Sequence, residues 1–246
     1  MEIFMMQDSQ IKEKELRLRL FSVDILKELK NIYTYKELSN FFNIQESLIC
    51  RYVNGRTIPS ERQALEIVTR IKNKEFLYNF FIRKIRVYED DFIDVSNLLF
   101  YPNLLRTFLE LYLIKLNKVN DITKVVGIAS NGIPFATIVA SILEKPLIIS
   151  KKHKDSTQIQ YIEENIRESN GVISTIYLRG DYISKKDKIL IVDDVIRSGK
   201  TLLSLYNLIG KANANVVGAL IIATNTDIWK YKFANKDINL MVLFKV

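Results

Sequence analysis

The chain is poor in the residues that build cross-links and metal clusters. Its 246 residues contain one cysteine, Cys50, and one histidine, His153. A single cysteine excludes an intramolecular disulfide framework and any cysteine-rich zinc site, and it fits a reducing, cytoplasmic setting. With only one histidine as well, no metal held by the protein alone is expected. Long apolar runs are missing too, for none approaches the roughly 18–20 residues that span a bilayer. The opening MEIFMMQDSQIKEKEL has no basic region followed by an apolar stretch and a small-residue cleavage site. A soluble protein with no membrane partner is therefore expected. Glycine is scarce in the first half, where Gly55 alone precedes Gly127.

What is present divides the chain in two. Apolar residues make up 48% of it, enough for one large core or two smaller ones. Lysine and arginine number 36 against 28 acidic residues, a net charge of +8 that favours a polyanionic partner or anionic ligands. From Glu15 to about Leu116 the apolar residues recur at helical spacing. From Val125 onward, short runs rich in Val and Ile (VVGIAS, PLIIS, GVISTIYL, KILIVDD, NVVGALIIAT, INLMVLF) alternate with helical stretches such as IPFATIVASILE and KTLLSLYNLIGKA. That alternation is the pattern of βαβ units and a mostly parallel sheet. The expected layout is an all-α domain over 1–75 with its core at 34–71, a connecting or dimerisation helix over 76–100, and an α/β domain over 101–246.

Residues 34–71 read TYKELSNFFNIQESLICRYVNGRTIPSERQALEIVTRI. Thr34 with Glu37 three residues on forms a capping box, and Leu38, Phe41 and Phe42 give the first helix an apolar face. Asn43 marks a turn, a second helix covers 45–53, Asn54-Gly55 stops it, and Pro59-Ser60 starts another. The stretch resembles the helix-turn-helix of the lambda-repressor and Cro-like superfamily. The resemblance implies a recognition helix that places Gln45, Glu46, Ser47, Arg51 and Asn54 against double-stranded DNA, with Arg56, Thr57 and Ser60 at phosphates.

The second informative stretch is KILIVDDVIRSGKTLLSLYNLI, residues 188–209. An apolar strand delivers Asp193 and Asp194 to its carboxyl end, where ligands of open α/β sheets bind. The following turn leads into a helix near Thr201, so backbone N–H groups and the helix dipole converge on a point suited to phosphate. The carboxylates suit sugar hydroxyls beside that phosphate, or Mg²⁺ held by the sugar. A Walker loop is excluded, because it requires glycine where Asp194 stands. The segment resembles the phosphoribosyl diphosphate (PRPP) signature of type I phosphoribosyltransferases. The resemblance implies that Asp193 and Asp194 bind the ribose hydroxyls while Val195, Ile196, Arg197, Ser198, Gly199, Lys200 and Thr201 cradle the 5′-phosphate. Arg197 and Lys200 depart from the commoner Thr and Gly.

Upstream, VVGIASNGIPFATIVASILEKPLIISKK, residues 125–152, resembles the family's first strand, diphosphate loop, helix and second strand. It implies diphosphate contacts from Ser130, Asn131, Gly132, Lys151 and Lys152, with Gly127, Asn131 and Gly132 letting the backbone approach closely. The polar segment KKHKDSTQIQYIEENIRESNG is expected to be a lid. It lacks the Lys-x-x-Lys-x-His-Gly order of orotate enzymes, which leaves His153 as a surface residue.

A Cro-like head joined to a PRPP-binding body resembles archaeal transcription regulators that carry a helix-turn-helix before a phosphoribosyltransferase-like domain. The resemblance implies a homodimer on a palindromic operator, with PRPP or a related phosphosugar as effector. The expected function is a ligand-responsive transcriptional regulator without transferase activity. The alternative is an active nucleobase phosphoribosyltransferase, of orotate or purine type, that carries a DNA-binding head.

Overall fold

The computed structural model describes residues 2–114, 119–167 and 171–246, with the backbone alone over 2–11. The chain separates into two compact units, Met1–Phe81 with Phe100–Phe108, and Ile82–Leu99 with Leu109–Val246.

The first unit is helical. It contains α1 (Glu2–Lys30), α2 (Tyr35–Phe42), α3 (Glu46–Val53), α4 (Glu61–Ile71), most of α5 (Lys74–Ile82) and the first turns of α6 (Pro102–Leu113). The local signals act as their chemistry dictates. Thr34 and Ser60 each close a capping box, with Glu37 and Gln63 respectively, and so satisfy the first amides of α2 and α4. Asn43 takes the left-handed conformation that ends α2, and Ile44 buries behind it. Ile25, Leu26 and Leu29 of α1 bury beside Ile49 of α3 and Ile67 and Ile71 of α4, the apolar stripes that the helical spacing predicts. Glu28 caps α6 by accepting from the Asn103 and Leu104 amides at 2.8 and 3.0 Å.

The second unit is an α/β layer structure. Its main sheet has five strands: β3 (Lys124–Ile128), β4 (Leu147–Ser150), β7 (Lys188–Val195), β8 (Asn215–Thr224) and β9 (Asn239–Lys245). They lie in the order β4-β3-β7-β8-β9, every neighbouring pair parallel. The chain runs from β3 outward to β4 on one side, then returns to place β7 on the other, so the topological switch point lies between β3 and β7. One face buries Val126, Ile148, Ile189 and Ile191 under α8 (Lys200–Lys211), packed through Leu202, Leu205 and Leu208. Helix α7 (Ile133–Leu143) packs on β3 and β7, with Phe135, Ala136 and Val139 buried.

Two expectations are corrected here. The polar segment after β4 is not a bare lid loop, because it contains β5 (Tyr161–Arg167), paired antiparallel with β6 (Ile173–Arg179) along its whole length. Residues 168–170 of that segment lie outside the described residues, as do 115–118 at the end of the helical pattern expected through Leu116. The second correction concerns residues 76–100, which do not form one connecting helix. After α5 the chain makes a small antiparallel hairpin, β1 (Arg86–Val87) with β2 (Ile93–Asp94), and then a 3-10 turn, Ser96–Phe100. No helix among the described residues is long and apolar enough to cross a membrane.

Candidate active site

Two loops leave the carboxyl ends of the strands that flank the switch point. After β3, residues 129–132 turn into α7, and Gly132 is its N-cap residue. The Ala129–Ser130 peptide is cis. The Ala129 amide donates to the Ser150 carbonyl at 2.9 Å, which ties this loop to the end of β4. After β7, residues 196–199 turn into α8, and Gly199 takes φ 71°. A side chain at position 199 would be strained by that φ and would bring its Cβ to 2.9 Å from Trp229 Cβ.

The two loops touch. A Cβ built on Gly132 would stand 2.5 Å from Asp193 Oδ1, 2.9 Å from the Ile128 carbonyl and 3.2 Å from Asp193 Cα, so only glycine fits there. Asp193 itself is buried, and its Oδ1 accepts from the Asp194 amide at 3.0 Å. Burial pushes the Asp193 carboxyl well above the ordinary carboxylate range, and the adjacent Asp194 charge pushes it the same way. Asp194 is half-buried.

The structure thus brings the expected residues of both loops to one edge of the sheet. Asp193, Asp194, Val195, Ile196, Arg197, Ser198, Gly199, Lys200 and Thr201 all line one cavity of about 300 Å³. Gly132 reaches the same place through Asp193, and Ser130 and Asn131 are its neighbours in the loop, their side chains 3.3 Å apart. The Ile196 amide donates to the Ala223 carbonyl at 3.1 Å, and Thr224 Oγ1 donates to the Ile196 carbonyl at 2.7 Å, so β8 anchors the turn. Lys151 sits at the end of β4 in a bridge with Tyr177, but its ammonium ion-pairs with Asp155 at 2.8 Å. That pairing holds the Asp155 carboxyl below its usual range. Lys152 and His153 are exposed, and Gly127 lies inside β3 under Ala136, where it serves helix packing.

Sequence reasoning missed three contributors. Phe92 and Ile93, from the β1–β2 hairpin, form the apolar wall of the cavity together with Ile221. The Arg197 guanidinium donates to the Asp91 carbonyl at the tip of that hairpin. Ser150, almost wholly buried, has a hydroxyl with no hydrogen-bond partner among the described residues. Its place, one residue before the expected Lys151, was the available signal.

Among the described residues no group of three or more His, Cys, Asp or Glu side chains converges to hold a metal ion. Two adjacent carboxylates are an incomplete donor set for Mg²⁺, which keeps several waters and takes few protein ligands when substrate phosphates complete its shell. The residues fit Mg²⁺ that arrives with a sugar diphosphate.

An open parallel sheet with a carboxylate pair and a glycine-containing turn into a helix at its switch point is the architecture in which α/β proteins place their ligand sites. The chain belongs to the phosphoribosyl transferase domain family, whose model matches residues 94–237. It is similar to the xanthine phosphoribosyltransferase of Streptococcus pyogenes serotype M5 (strain Manfredo), at 40% identity over 103 residues, 41% of this chain and 53% of that protein. The chain thus spans about half the length of the curated relatives it matches. Among solved structures it resembles the adenine phosphoribosyltransferase of Rhodothermus marinus, with a TM-score of 0.63 and 26% identity over 70% of this chain and 99% of that one. The Saccharomyces cerevisiae adenine phosphoribosyltransferase shares the fold, with a TM-score of 0.61 at 16% identity over 69% of this chain and 99% of that one.

These relatives overturn the regulator reading. The relatives just named are a xanthine phosphoribosyltransferase from Streptococcus and an adenine phosphoribosyltransferase from Rhodothermus, and not archaeal DNA-binding regulators. The expectation of a chain without transferase activity is corrected with it. So is the expected partner, an operator read by a twofold dimer. PRPP is the expected substrate of this fold rather than an effector. The residues expected at DNA lie on and just after α3 and at the start of α4. Gln45, Glu46, Ser47, Arg51 and Arg56 are exposed around α3, and Thr57 is partly covered. The Asn54 amide donates to the Cys50 carbonyl at 2.9 Å, and the Ser60 hydroxyl caps α4.

Proposed function

We propose that this chain is a purine-type nucleobase phosphoribosyltransferase, which transfers the 5-phosphoribosyl group of PRPP to a xanthine- or adenine-like base. The observation that carries this reading is the contact of Gly132 with buried Asp193. It joins the 129–132 loop to the strand end that leads into the 196–199 turn, beside the apolar side chains of Phe92, Ile93 and Ile221. In this reading the 130–132 loop and Lys152 hold the diphosphate. Asp193 and Asp194 accept from the ribose 2′- and 3′-hydroxyls, and the 196–201 turn holds the 5′-phosphate with backbone amides at the start of α8. Phe92 and Ile93 cover one face of the base. The bond from ribose C1 to the diphosphate oxygen breaks, and a bond from C1 to a ring nitrogen of the base forms. Bound Mg²⁺ would neutralise charge on the leaving diphosphate. The protein's part is to hold the two reactants in line and to keep water from C1.

For the first unit the proposal concerns fold alone. The capped α2, the left-handed turn at Asn43 and the short α3 support a helix-turn-helix shape, to which no role is attached.

The test is diphosphate release from PRPP and Mg²⁺ with xanthine, adenine, guanine, hypoxanthine or orotate. Turnover with a purine and none with orotate is expected. No release with any base sinks the proposal.

A further inference from the structure

The hairpin that carries the base wall is a self-contained piece. At its tip the Asp91 amide donates to the Tyr88 carbonyl at 3.0 Å, the Tyr88 amide donates to the Phe92 carbonyl at 2.9 Å, and the Phe92 amide donates to Asp90 Oδ1 at 3.1 Å. Asp91 holds the left-handed φ of 63° at the turn. Its carbonyl accepts from the Arg197 guanidinium, which projects from the phosphate turn between β7 and α8. The next two residues, Phe92 and Ile93, line the same cavity as Asp193 and Asp194, and Phe92 is 44% exposed. Phosphate turn and base wall come from segments far apart in the chain, and Arg197 joins them.

We propose that Arg197 is a positioning residue that couples occupation of the 5′-phosphate turn to placement of the base wall. The inference rests on the transferase reading above. A guanidinium presents five N–H donors in a planar fork, so it can give one to the Asp91 carbonyl and others to an anion at the turn. An anion bound there fixes the guanidinium, the guanidinium fixes the Asp91 carbonyl, and Phe92 is held where a flat ring would stack. The base then binds more tightly to protein already carrying the sugar phosphate, and by linkage the sugar phosphate binds more tightly to protein carrying the base. Lysine at this position keeps the charge but has one compact ammonium, which cannot bridge both partners.

Calorimetry on the full chain tests this with adenine, or with xanthine if adenine does not bind, in the absence and presence of saturating ribose 5-phosphate. Wild-type protein should bind the base about 10-fold more tightly when ribose 5-phosphate is present. Arg197→Lys should bind ribose 5-phosphate more weakly, and at saturating ribose 5-phosphate the base should no longer respond to it. Ser198→Ala, which alters the turn without touching the hairpin bond, should weaken ribose 5-phosphate yet keep the 10-fold response at saturation. Melting of R197K at the wild-type temperature would verify that it is folded, and Arg197→Ala, which also lacks the bridge, gives the same comparison if it is not. Binding of both ligands by wild type without mutual effect, or full coupling retained in R197K and R197A, overturns the proposal and leaves the transferase reading standing. Failure of wild type to bind either ligand overturns both.

Discussion

Asp193 is buried among its neighbours, and the proposed function asks it to be ionised for a ligand. Its folded pKa is raised, chiefly by burial and then by Asp194, so its contribution to stability is full below the ordinary carboxylate pKa and is lost as pH rises through the raised value. Ribose hydroxyls need acceptors, so affinity for ribose 5-phosphate should move the opposite way and increase as Asp193 ionises. Melting temperature and calorimetric affinity measured across the same pH series should therefore diverge; parallel trends would remove Asp193 from the ligand. Asp193→Asn keeps an acceptor for the Asp194 amide and removes the buried charge. It should raise the melting temperature at neutral pH, by about 2–4 °C for each kcal/mol recovered in a chain of this size. PRPP turnover should fall at the same time, a trade of stability against activity. Gly132→Ala fails differently, since its Cβ meets an oxygen at 2.5 Å and a carbonyl at 2.9 Å. We expect a loss of about 1–3 kcal/mol in stability. The drop in kcat/KM for PRPP should exceed about 10-fold, roughly 1.4 kcal/mol in the transition state.

At the scale of elements, the phosphate turn owes its placement to β8 as much as to its own residues. Thr224 is buried, with its hydroxyl within reach of the Ile196 and Thr226 carbonyls at 2.7 and 3.0 Å. Thr224→Val should cost about 1–3 kcal/mol by leaving a buried acceptor unmet. It should also raise KM for PRPP more than KM for the base; an equal rise in both would place the effect outside the turn. The strands of the main sheet could be read from sequence because each is a short apolar run, and the central ones, β3, β7 and β8, are rich in Val and Ile and buried on both faces. Strand β5 could not. In YIEENIR the residues Ile162 and Ile166 stand four apart among charges, a spacing that reads as one turn of helix or as loop, and only Ile166 is buried. The hairpin that supplies Phe92 escaped for another reason, since its strands are two residues each and leave no period to detect. The two glycine-containing loops were readable because their chemistry requires particular residues at particular places.

On the scale of the whole molecule, the capping boxes, the Asn43 turn and the helix after Ser60 were all visible in the first unit, yet the function inferred from them was wrong. A helical arrangement states how a segment folds, whereas activity belongs to a site, and here the site lies in the second unit. The net charge of +8, read as favouring a polyanionic partner or anionic ligands, suits the proposed substrate with its many phosphate oxygens. Raising salt from 0.05 to 0.5 M should then lower kcat/KM for PRPP by about 3- to 10-fold while leaving KM for the neutral base almost unchanged. A rate indifferent to salt would confine electrostatics to the turn itself.

The far rim of the sheet is tied down independently of the ligand edge. Burial would raise the Asp187 carboxyl, but it accepts from Lys124, Ser184 and Thr123, which together hold it below its usual range. Lys124 and Asp187 stand at the beginning of β3 and just before β7, while the ligand loops leave the other ends of those strands. The scaffold therefore has a keel and a set of replaceable fittings. The 86–94 hairpin, self-bonded at its tip and clasped by one arginine, is the fitting most readily exchanged, so one wall of the cavity can be recut without recasting the sheet beneath it.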